Sequence, residues 1–486
     1  MPSSDEMETV DDRGKVGFIG RCIMRDGRNG RSNPPCPFCQ LYAVLCNNVR
    51  NSIGRSLVMP HAINKSLQQA IIYSVFVRNH TQEGTFRALI PDLPRIKALG
   101  TDIIWLMPIH PLGEKARKGS LGSPYANRDY RAVNPEYGTF EDFEALVEAI
   151  HAQGMKCIID VVYNHTAPDS VLWETHPEWF YRKPDGNPGN HVGDWTDIID
   201  LDYSKDRALW DYQIETLCFW AQLVDGFRCD VATFVPVEFW EQARMAVEQV
   251  RPGCIWLAET VHREFGEEMR RRGLYAATDA EVYAAFDIEY AYDIQTVFDR
   301  WLEGKASLSH YLDLTDFQEN AYPYGFNKLR YLENHDTPRI AGRLGRGLSL
   351  ENLTAFMYFL KGATLVYGGQ EVASDHTITL FDRDPVAWDT GSDLSPLMQR
   401  LAQVKHEVFG CDDFYAARAD DAHDIAVLER GGDWGRAIGV FSLRGEAADV
   451  PVDVPDGAYV NLIDALPVEV RNGALATNGA PVIILS

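Results

Sequence analysis

Short apolar runs recur along this chain, separated by stretches whose apolar residues have helical spacing. Residues 71–77 and 101–107 have the composition of buried β-strands. Between them, apolar residues recur at intervals of three and four and stop at Gly100, which predicts a helix and its C-terminal end. A strand, a helix and a strand within roughly thirty residues form a βα unit.

The same unit repeats further along the chain. A predicted helix at 140–152 ends before Gly154 and is followed by a predicted strand at 156–162. Eight such units predict an α/β fold, a (β/α)8 TIM barrel with functional groups at the strand C-terminal ends. The remaining strands are predicted at 226–230, 255–259, 284–287, 328–334 and 363–367.

Unequal spacing predicts what is added to this barrel. One unit separates Asp230 from Glu259, whereas a much longer stretch separates Asp160 from Asp230. The surplus predicts a small inserted subdomain at 164–206, after strand three. We therefore assign 66–405 to a catalytic barrel. Alternating segments with Gly and Pro turns predict a C-terminal antiparallel β-sandwich domain at 406–486.

Residues 1–65 differ from the rest of the chain and contain four of the nine cysteines. Cys36 and Cys39 have zinc-knuckle spacing, but no histidine accompanies them before His61. Three interpretations remain open: a metal site, a disordered extension, and a start assigned too early, with Met59 as the working start.

Composition limits the class of partner. A formal charge of −24 and a pI near 4.9 argue against nucleic acid and anionic membranes as partners, and are compatible with a neutral substrate. No apolar run is long enough for a transmembrane helix, and residues 1–8 do not resemble a secretory signal. Cysteines within apolar runs predict buried thiols and a cytoplasmic location; they are Cys157, Cys218, Cys229 and Cys254.

Three acids stand at predicted strand ends: Asp230, Glu259 and Asp336. Residues two apart in a strand share a face, so Arg228 and Asp230 should both point into the barrel. An aspartate beside an arginine should stay ionised, as a nucleophile must. The apolar residues before Glu259 should raise its pKa, as a general acid requires. Two such carboxyls suit the hydrolysis of glycosidic bonds, with retention if they lie about 5 to 5.5 Å apart.

Residues 70–486 resemble the α-amylase superfamily of retaining glycoside hydrolases. Five segments resemble its signatures: Asp160-Val-Val-Tyr-Asn-His165, Asp225-Gly-Phe-Arg-Cys-Asp230, Leu257-Ala-Glu259, Glu333-Asn-His-Asp336 and Gly368-Gly-Gln-Glu371. The resemblance implies that Asp230 is the nucleophile, Glu259 the acid/base and Asp336 the residue that stabilises the oxocarbenium-like state. It further implies a set of substrate-binding residues, namely Tyr125, His165, Arg228, His335 and Arg339.

The resemblance also implies a structural calcium ion, although the chemistry needs no cofactor. Asn164 stands where the family often ligates Ca²⁺, and Asp200 resembles a second ligand. However, the Lys-His pair that follows the nucleophile in many relatives is Thr233-Phe234 here. Asn164 as a calcium ligand and Asn164 as a turn cap therefore both stay open.

Aromatic residues are frequent in the predicted insertion. A wall that stacks against sugars and a small hydrophobic core are equally consistent with them, and we expect one or two to stack. They are Trp173, Trp179, Phe180, Tyr181 and Trp195.

The leading hypothesis is a cytoplasmic hydrolase that cleaves α-1,4-linked glucans or maltooligosaccharides by double displacement. An α-glucanotransferase, an α-glucosidase and an oligo-1,6-glucosidase would use the same residues. Val231, directly after the nucleophile, is also found in relatives that cleave α-1,6 bonds, so the linkage stays open. A non-catalytic glycan-binding barrel is the alternative from another class. The oligomeric state is left open.

Overall fold

Eight parallel strands close into a barrel in the computed structural model, which describes residues 63–486. Each strand pairs with its neighbours in chain order, and β1 closes the ring against β8. The predicted (β/α)8 barrel is confirmed. The strands are β1 Ile71–Val75, β2 Ile103–Leu106, β3 Lys156–Val161, β4 Gly226–Cys229, β5 Ile255–Ala258, β6 Ile288–Tyr290, β7 Lys328–Arg330 and β8 Ala363–Tyr367.

Helices alternate with these strands. The predicted helix at 140–152 forms as Phe140–Ala152, where Thr139 and Asp142 build a capping box at its N-terminus. The α-helices are Val77–His80, Phe86–Leu89, Leu93–Ala98, Phe140–Ala152, Val171–Thr175, Arg207–Trp220, Val237–Glu248, Arg263–Arg271, Asp279–Val282, Tyr292–Leu302, Leu308–Ala321, Ile340–Leu344, Leu348–Phe359 and Ser395–Glu407.

One predicted strand was wrong. Residues 284–287 form turns, and the sixth strand begins only at Ile288. The backbone amides of Ala284 and Ala285 donate to Glu281 and Val282, which prolongs the helix Asp279–Val282 into turns. Local helical hydrogen bonds therefore prevail over the apolar composition of this run.

The two faces of the barrel strands bury different cores. On β4, Phe227 and Cys229 pack in the large cluster between the strands and the helices. Inside the barrel, Ile72, Ile158 and Leu257 belong to a second buried cluster. Arg228 points inward and is fully buried. The barrel interior is thus apolar except where charged side chains meet at its C-terminal end.

The insertion after β3 is a small layer over this end of the barrel. Two short antiparallel strands, His165–Thr166 and Ile199–Asp200, tie its ends together. Trp179 and Phe180 are buried in it, whereas Trp195 is half-buried. The aromatic residues of this segment therefore divide between a core and an accessible surface.

The C-terminal part consists of two four-stranded antiparallel sheets, in the orders β9-β10-β11-β16 and β12-β15-β14-β13. Val427 of the first sheet and Val470 of the second lie in one shared hydrophobic cluster. The predicted antiparallel β module is confirmed. Its strands are β9 Phe414–Asp420, β10 Ile425–Gly432, β11 Gly435–Ser442, β12 Ala448–Pro451, β13 Gly457–Val460, β14 Pro467–Arg471, β15 Ala474–Thr477 and β16 Val482–Leu485.

The predicted extension at 1–65, with Cys36 and Cys39, lies almost wholly outside the described residues. Its interpretations therefore stay predictions.

Over residues 63–486, no helix is long and apolar enough to cross a membrane.

Trp220 should contribute strongly to stability. Its indole is fully buried against Phe143 and donates a 2.8 Å hydrogen bond to the Tyr130 carbonyl. Trp220→Ala should therefore lower the free energy of unfolding by about 3 to 5 kcal/mol, measured by urea denaturation. Phe317→Ala, at a residue that is 63% exposed, is the control and should change it by less than about 0.5 kcal/mol. Equal effects would contradict this packing.

Candidate active site

The carboxyl ends of β4 and β5 bring two acids to one guanidinium. Arg228 places Nη1 2.9 Å from Asp230 Oδ1 and Nη2 3.0 Å from Glu259 Oε1. A third carboxylate, Asp160 of β3, lies 3.0 Å from Nη1. All four side chains are buried or nearly so. One cation therefore holds the acids of three neighbouring strands together.

Backbone bonds between β4 and β5 hold Glu259 as well. Its amide donates to the Cys229 carbonyl at 3.0 Å, and its carbonyl accepts from the Ala232 amide at 2.9 Å. The Val231 amide donates to Glu259 Oε2 at 2.8 Å. Four residues on the two sides of Asp230 therefore bind Glu259 directly: Arg228, Cys229, Val231 and Ala232.

Val231 has an unusual conformation for a β-branched residue. Its φ of 35° and ψ of 46° lie in the left-handed region, which valine rarely adopts. A short 3-10 turn, Ala232–Phe234, follows it. Strain of this kind persists only where the surrounding structure enforces it, and it is concentrated at functional sites.

On the opposite side of the cleft, Tyr125 links β3 to the loop after β7. Its hydroxyl lies 3.0 Å from Asp160 Oδ2 and 2.8 Å from His335 Nε2, and its ring stacks on His335. His335 Nε2 also lies 3.0 Å from Asp336 Oδ2. The side chain of Asp336 is half-exposed.

His165 begins the inserted segment and borders the same space. Its Nε2 lies 3.9 Å from Asp230 Oδ2, and Trp195 packs against its ring at 5.7 Å. A row of aromatic contacts continues from Trp195 to Phe265 and then to Phe234. These three rings are half-buried, so part of each remains accessible.

Burial sets the proton affinities of the two central acids. It raises the pKa of Asp230 to about 7, although the Arg228 charge opposes the shift. It raises the pKa of Glu259 to about 8, again against Arg228, while nearby Asp230 adds to the rise. The prediction of a raised Glu259 pKa agrees with this, and the pKa of Asp230 is raised as well because burial outweighs the Arg228 charge.

The pKa values of Asp336 and His165, which lie beside the two central acids, are lowered instead. Burial acts to raise the pKa of Asp336, but the charge and hydrogen bond of His335 outweigh it and lower this pKa below its usual range. Burial lowers the pKa of His165 to about 4, so its imidazole is neutral near pH 7. One ionised acid and a neutral hydrogen-bonding imidazole therefore flank the central pair.

Arg339 has partners that the sequence did not predict. Its guanidinium binds Glu333 Oε1 at 2.6 Å and the Gly368 carbonyl at 2.8 Å, and the residue is only 1% exposed. These bonds join the loop after β7 to the end of β8. Its observed role is to hold that loop, and a contact with substrate stays a prediction.

A family model for the α-amylase catalytic domain matches residues 57–196 and 192–409, and a model for the bacterial α-amylase C-terminal domain matches 416–484. The chain belongs to the α-amylase family. Family membership agrees with the resemblance seen in the sequence motifs and with the two-part fold.

Two solved structures in this family are similar along their whole length. An α-amylase from Lactobacillus plantarum is 42% identical with a TM-score of 0.84; the match covers 87% of this chain and 100% of that one. A maltogenic α-amylase, AmyB from Thermotoga neapolitana, is 33% identical with a TM-score of 0.76. This match covers 86% of this chain and 99% of that one. A curated relative, α-amylase MalA from Haloarcula japonica, is 26% identical over 74% of this chain, which spans about half of MalA.

The two predicted calcium ligands, Asn164 and Asp200, differ in their surroundings. Asp200 Oδ1 is buried without a hydrogen-bond partner, while Oδ2 accepts from the His191 amide at 2.7 Å. The Asn164 amide instead faces the His165 ring at 3.2 Å. Within residues 63–486, no group of three or more His, Cys, Asp or Glu side chains is placed to hold a metal. Ca²⁺ also takes backbone carbonyls and water as ligands, and the calcium site stays a prediction.

Some groups of this α-amylase-type site escaped the sequence analysis. Asp160 belongs to the first motif, but its contacts with both Arg228 and Tyr125 were not predicted. The Val231 amide carries no side-chain signal. Trp105 and Tyr290 lie within cation–π range of Arg228 from inside the barrel, and their inward position on alternating strand residues was the available signal.

The pH dependence of activity follows from these pKa values. As pH rises through about 7, Asp230 loses its proton and kcat/KM should rise; beyond about 8, Glu259 loses its proton and kcat/KM should fall. A bell-shaped profile with its maximum between these values is expected, and its limbs belong to the coupled pair. Initial rates on maltooligosaccharides measure it, with circular dichroism to show that the fold persists. A maximum below about pH 5 would contradict the assignment.

Proposed function

We propose that the protein is a retaining glycosidase that cleaves α-1,4-linked glucans or maltooligosaccharides. The observation that carries this proposal is the pair Asp230 and Glu259 on the two terminal nitrogens of Arg228. Because the two carboxyl groups share one guanidinium, a short distance between them is favoured. At a distance of about 5 to 5.5 Å, one carboxylate attacks the sugar and the other carboxyl group protonates the leaving group.

The two acids have separate roles in this mechanism. Asp230 attacks the anomeric carbon while Glu259 gives its proton to the glycosidic oxygen, so the C–O bond breaks and a glycosyl–enzyme ester forms. Glu259 then removes a proton from water, which attacks the anomeric carbon and releases Asp230. The higher pKa of Glu259 fits the acid, and the lower one of Asp230 fits the nucleophile.

The remaining side chains suit a neutral sugar bound beside the acids. The exposed edge of Asp336 stands where positive charge develops in an oxocarbenium-like state. Tyr125 offers a ring face, and neutral His165 offers a hydrogen bond to a hydroxyl group. A net charge of −24 disfavours anionic substrates.

Transfer to a sugar acceptor is the second candidate. The aromatic row from Trp195 through Phe265 to Phe234 starts beside His165 and continues past the loops that follow Asp230 and Glu259. Because Glu259 protonates the leaving oxygen, the departing sugar lies on this side. A surface that retains a sugar there also favours it over water as the acceptor.

A cytoplasmic location is also part of the proposal. Cys157, Cys229 and Cys254 are buried thiols, and burial raises the pKa of each, so they are poorly reactive. Buried, unoxidised thiols are typical of a reducing compartment.

Product analysis on maltoheptaose tests the function. The hydrolase should give only shorter maltooligosaccharides, first released with the α configuration, as followed by chromatography and by proton NMR of the anomeric signals. Oligomers longer than the input would favour a transferase. Asp230→Asn is the matched control: it preserves size and shape and should reduce turnover by at least about 10³-fold at an unchanged melting temperature. Undiminished turnover would refute the nucleophile assignment.

A further inference from the structure

The amides of Val231 and Ala232, the two residues after Asp230, both donate to Glu259. One binds its side chain and the other its backbone carbonyl. Asp230 donates its amide to the Val161 carbonyl of β3. In an extended strand the amides alternate in direction, so Val231 points towards β5 and the next amide should turn back to β3. The left-handed conformation of Val231 rotates that next peptide, and the Ala232 amide donates to the backbone carbonyl of Glu259. Of these two amides, only that of Val231 therefore binds the carboxyl group of Glu259.

The two oxygens of the Glu259 carboxyl have different surroundings. Oε2 accepts a well-formed hydrogen bond of 2.8 Å from the Val231 amide. Oε1 lies 3.0 Å from Arg228 Nη2, but this nitrogen makes no aligned hydrogen bond in the described structure. Since an amide can only donate, Oε2 must be an acceptor oxygen whether the carboxyl is ionised or protonated.

We propose that Val231 is a positioning residue, whose backbone amide holds Oε2 of Glu259 as the acceptor so that Oε1 carries the transferable proton. The inference rests on the proposed glycosidase function. When the glycosidic bond breaks, the Oε1 proton passes to the leaving oxygen and the electron pair of the O–H bond stays on the carboxylate. The Val231 amide stabilises that carboxylate. The register of β4 against β5 directs this amide, and the side chain of Val231 is secondary.

The proposal explains why Glu259 can act despite its contact with Arg228. Without the amide, the carboxyl group would be free to turn about its Cγ–Cδ bond and to offer either oxygen to the guanidinium. With the amide bound to Oε2, Oε1 is the oxygen that is left to carry the proton. The position of the proton is thereby set before substrate binds.

Replacing one backbone amide by an ester tests this directly. Incorporating the α-hydroxy analogue of valine at 231 removes the N–H and keeps the side chain. The matched control is the same replacement at Val235, a buried valine of the same turn whose amide donates to the Ala232 carbonyl at 3.2 Å and does not contact Glu259.

The readout is the dependence of kcat/KM on the leaving group. Maltopentaose needs a protonated sugar leaving group, whereas α-maltosyl fluoride releases fluoride with little acid assistance. The ester at 231 should lower kcat/KM for maltopentaose by roughly 10- to 100-fold and change that for the fluoride by less than about threefold. It should also shift the alkaline limb of the profile to higher pH, because the carboxylate loses a donor. The ester at 235 should show neither effect.

Two results would overturn the proposal: an equal loss on both substrates, or the same split between substrates for the ester at 235. An unmodified enzyme that acts on neither substrate would refute the proposed function itself. A second measurement needs no modified backbone. In ¹⁵N-valine-labelled enzyme, the Val231 amide shift should titrate along the alkaline limb and lose this titration in Glu259→Gln. A shift that stays constant while activity titrates would also overturn the proposal.

Discussion

The fully buried guanidinium of Arg228 holds three carboxylates from three neighbouring barrel strands, and the geometry of the site depends on it. A charged group inside a barrel is tolerated only if it is paired. Pairing with Asp160, Asp230 and Glu259 therefore does two things at once. It compensates the buried arginine, and it fixes the two reacting acids relative to each other.

The charges in this cluster do not cancel, and that imbalance has a chemical consequence. One guanidinium faces three carboxyls, so full ionisation would leave excess negative charge in a buried site. Burial first and the neighbouring carboxylates second raise the pKa values of both Glu259 and Asp230. A proton is thus retained near neutral pH on the group that the mechanism needs as an acid.

Backbone geometry supports the same arrangement from β4. The ladder between β4 and β5 ends at Glu259, where the Val231 amide donates to the carboxyl group and the Ala232 amide to the backbone carbonyl. Because these bonds come from residues on both sides of Asp230, a shift of β4 would move nucleophile and acid together. Closure of the barrel makes such a shift costly, since every strand is paired on both edges.

The sequence predicted those parts that follow from periodicity and strand register. Seven of the eight barrel strands, the inward direction of Arg228 and the apolar setting of Glu259 all follow from alternation along short runs. The strand at 284–287 failed because local helical bonds competed successfully with an apolar run. The buried state of Arg339 and the turn at Val231 depend on partners distant in sequence or on a backbone angle, and neither leaves a pattern in the residue order.

Trapping of the covalent intermediate would show which acid attacks the sugar. The enzyme is incubated with 5-fluoro-α-glucosyl fluoride, which forms the glycosyl–enzyme readily and releases it slowly, and the peptides are analysed by mass spectrometry. The account predicts a single glycosyl ester on Asp230, in the peptide that contains Arg228 or begins directly after it. A label on Asp336 or Glu259, or turnover with inversion and no covalent intermediate, would contradict it.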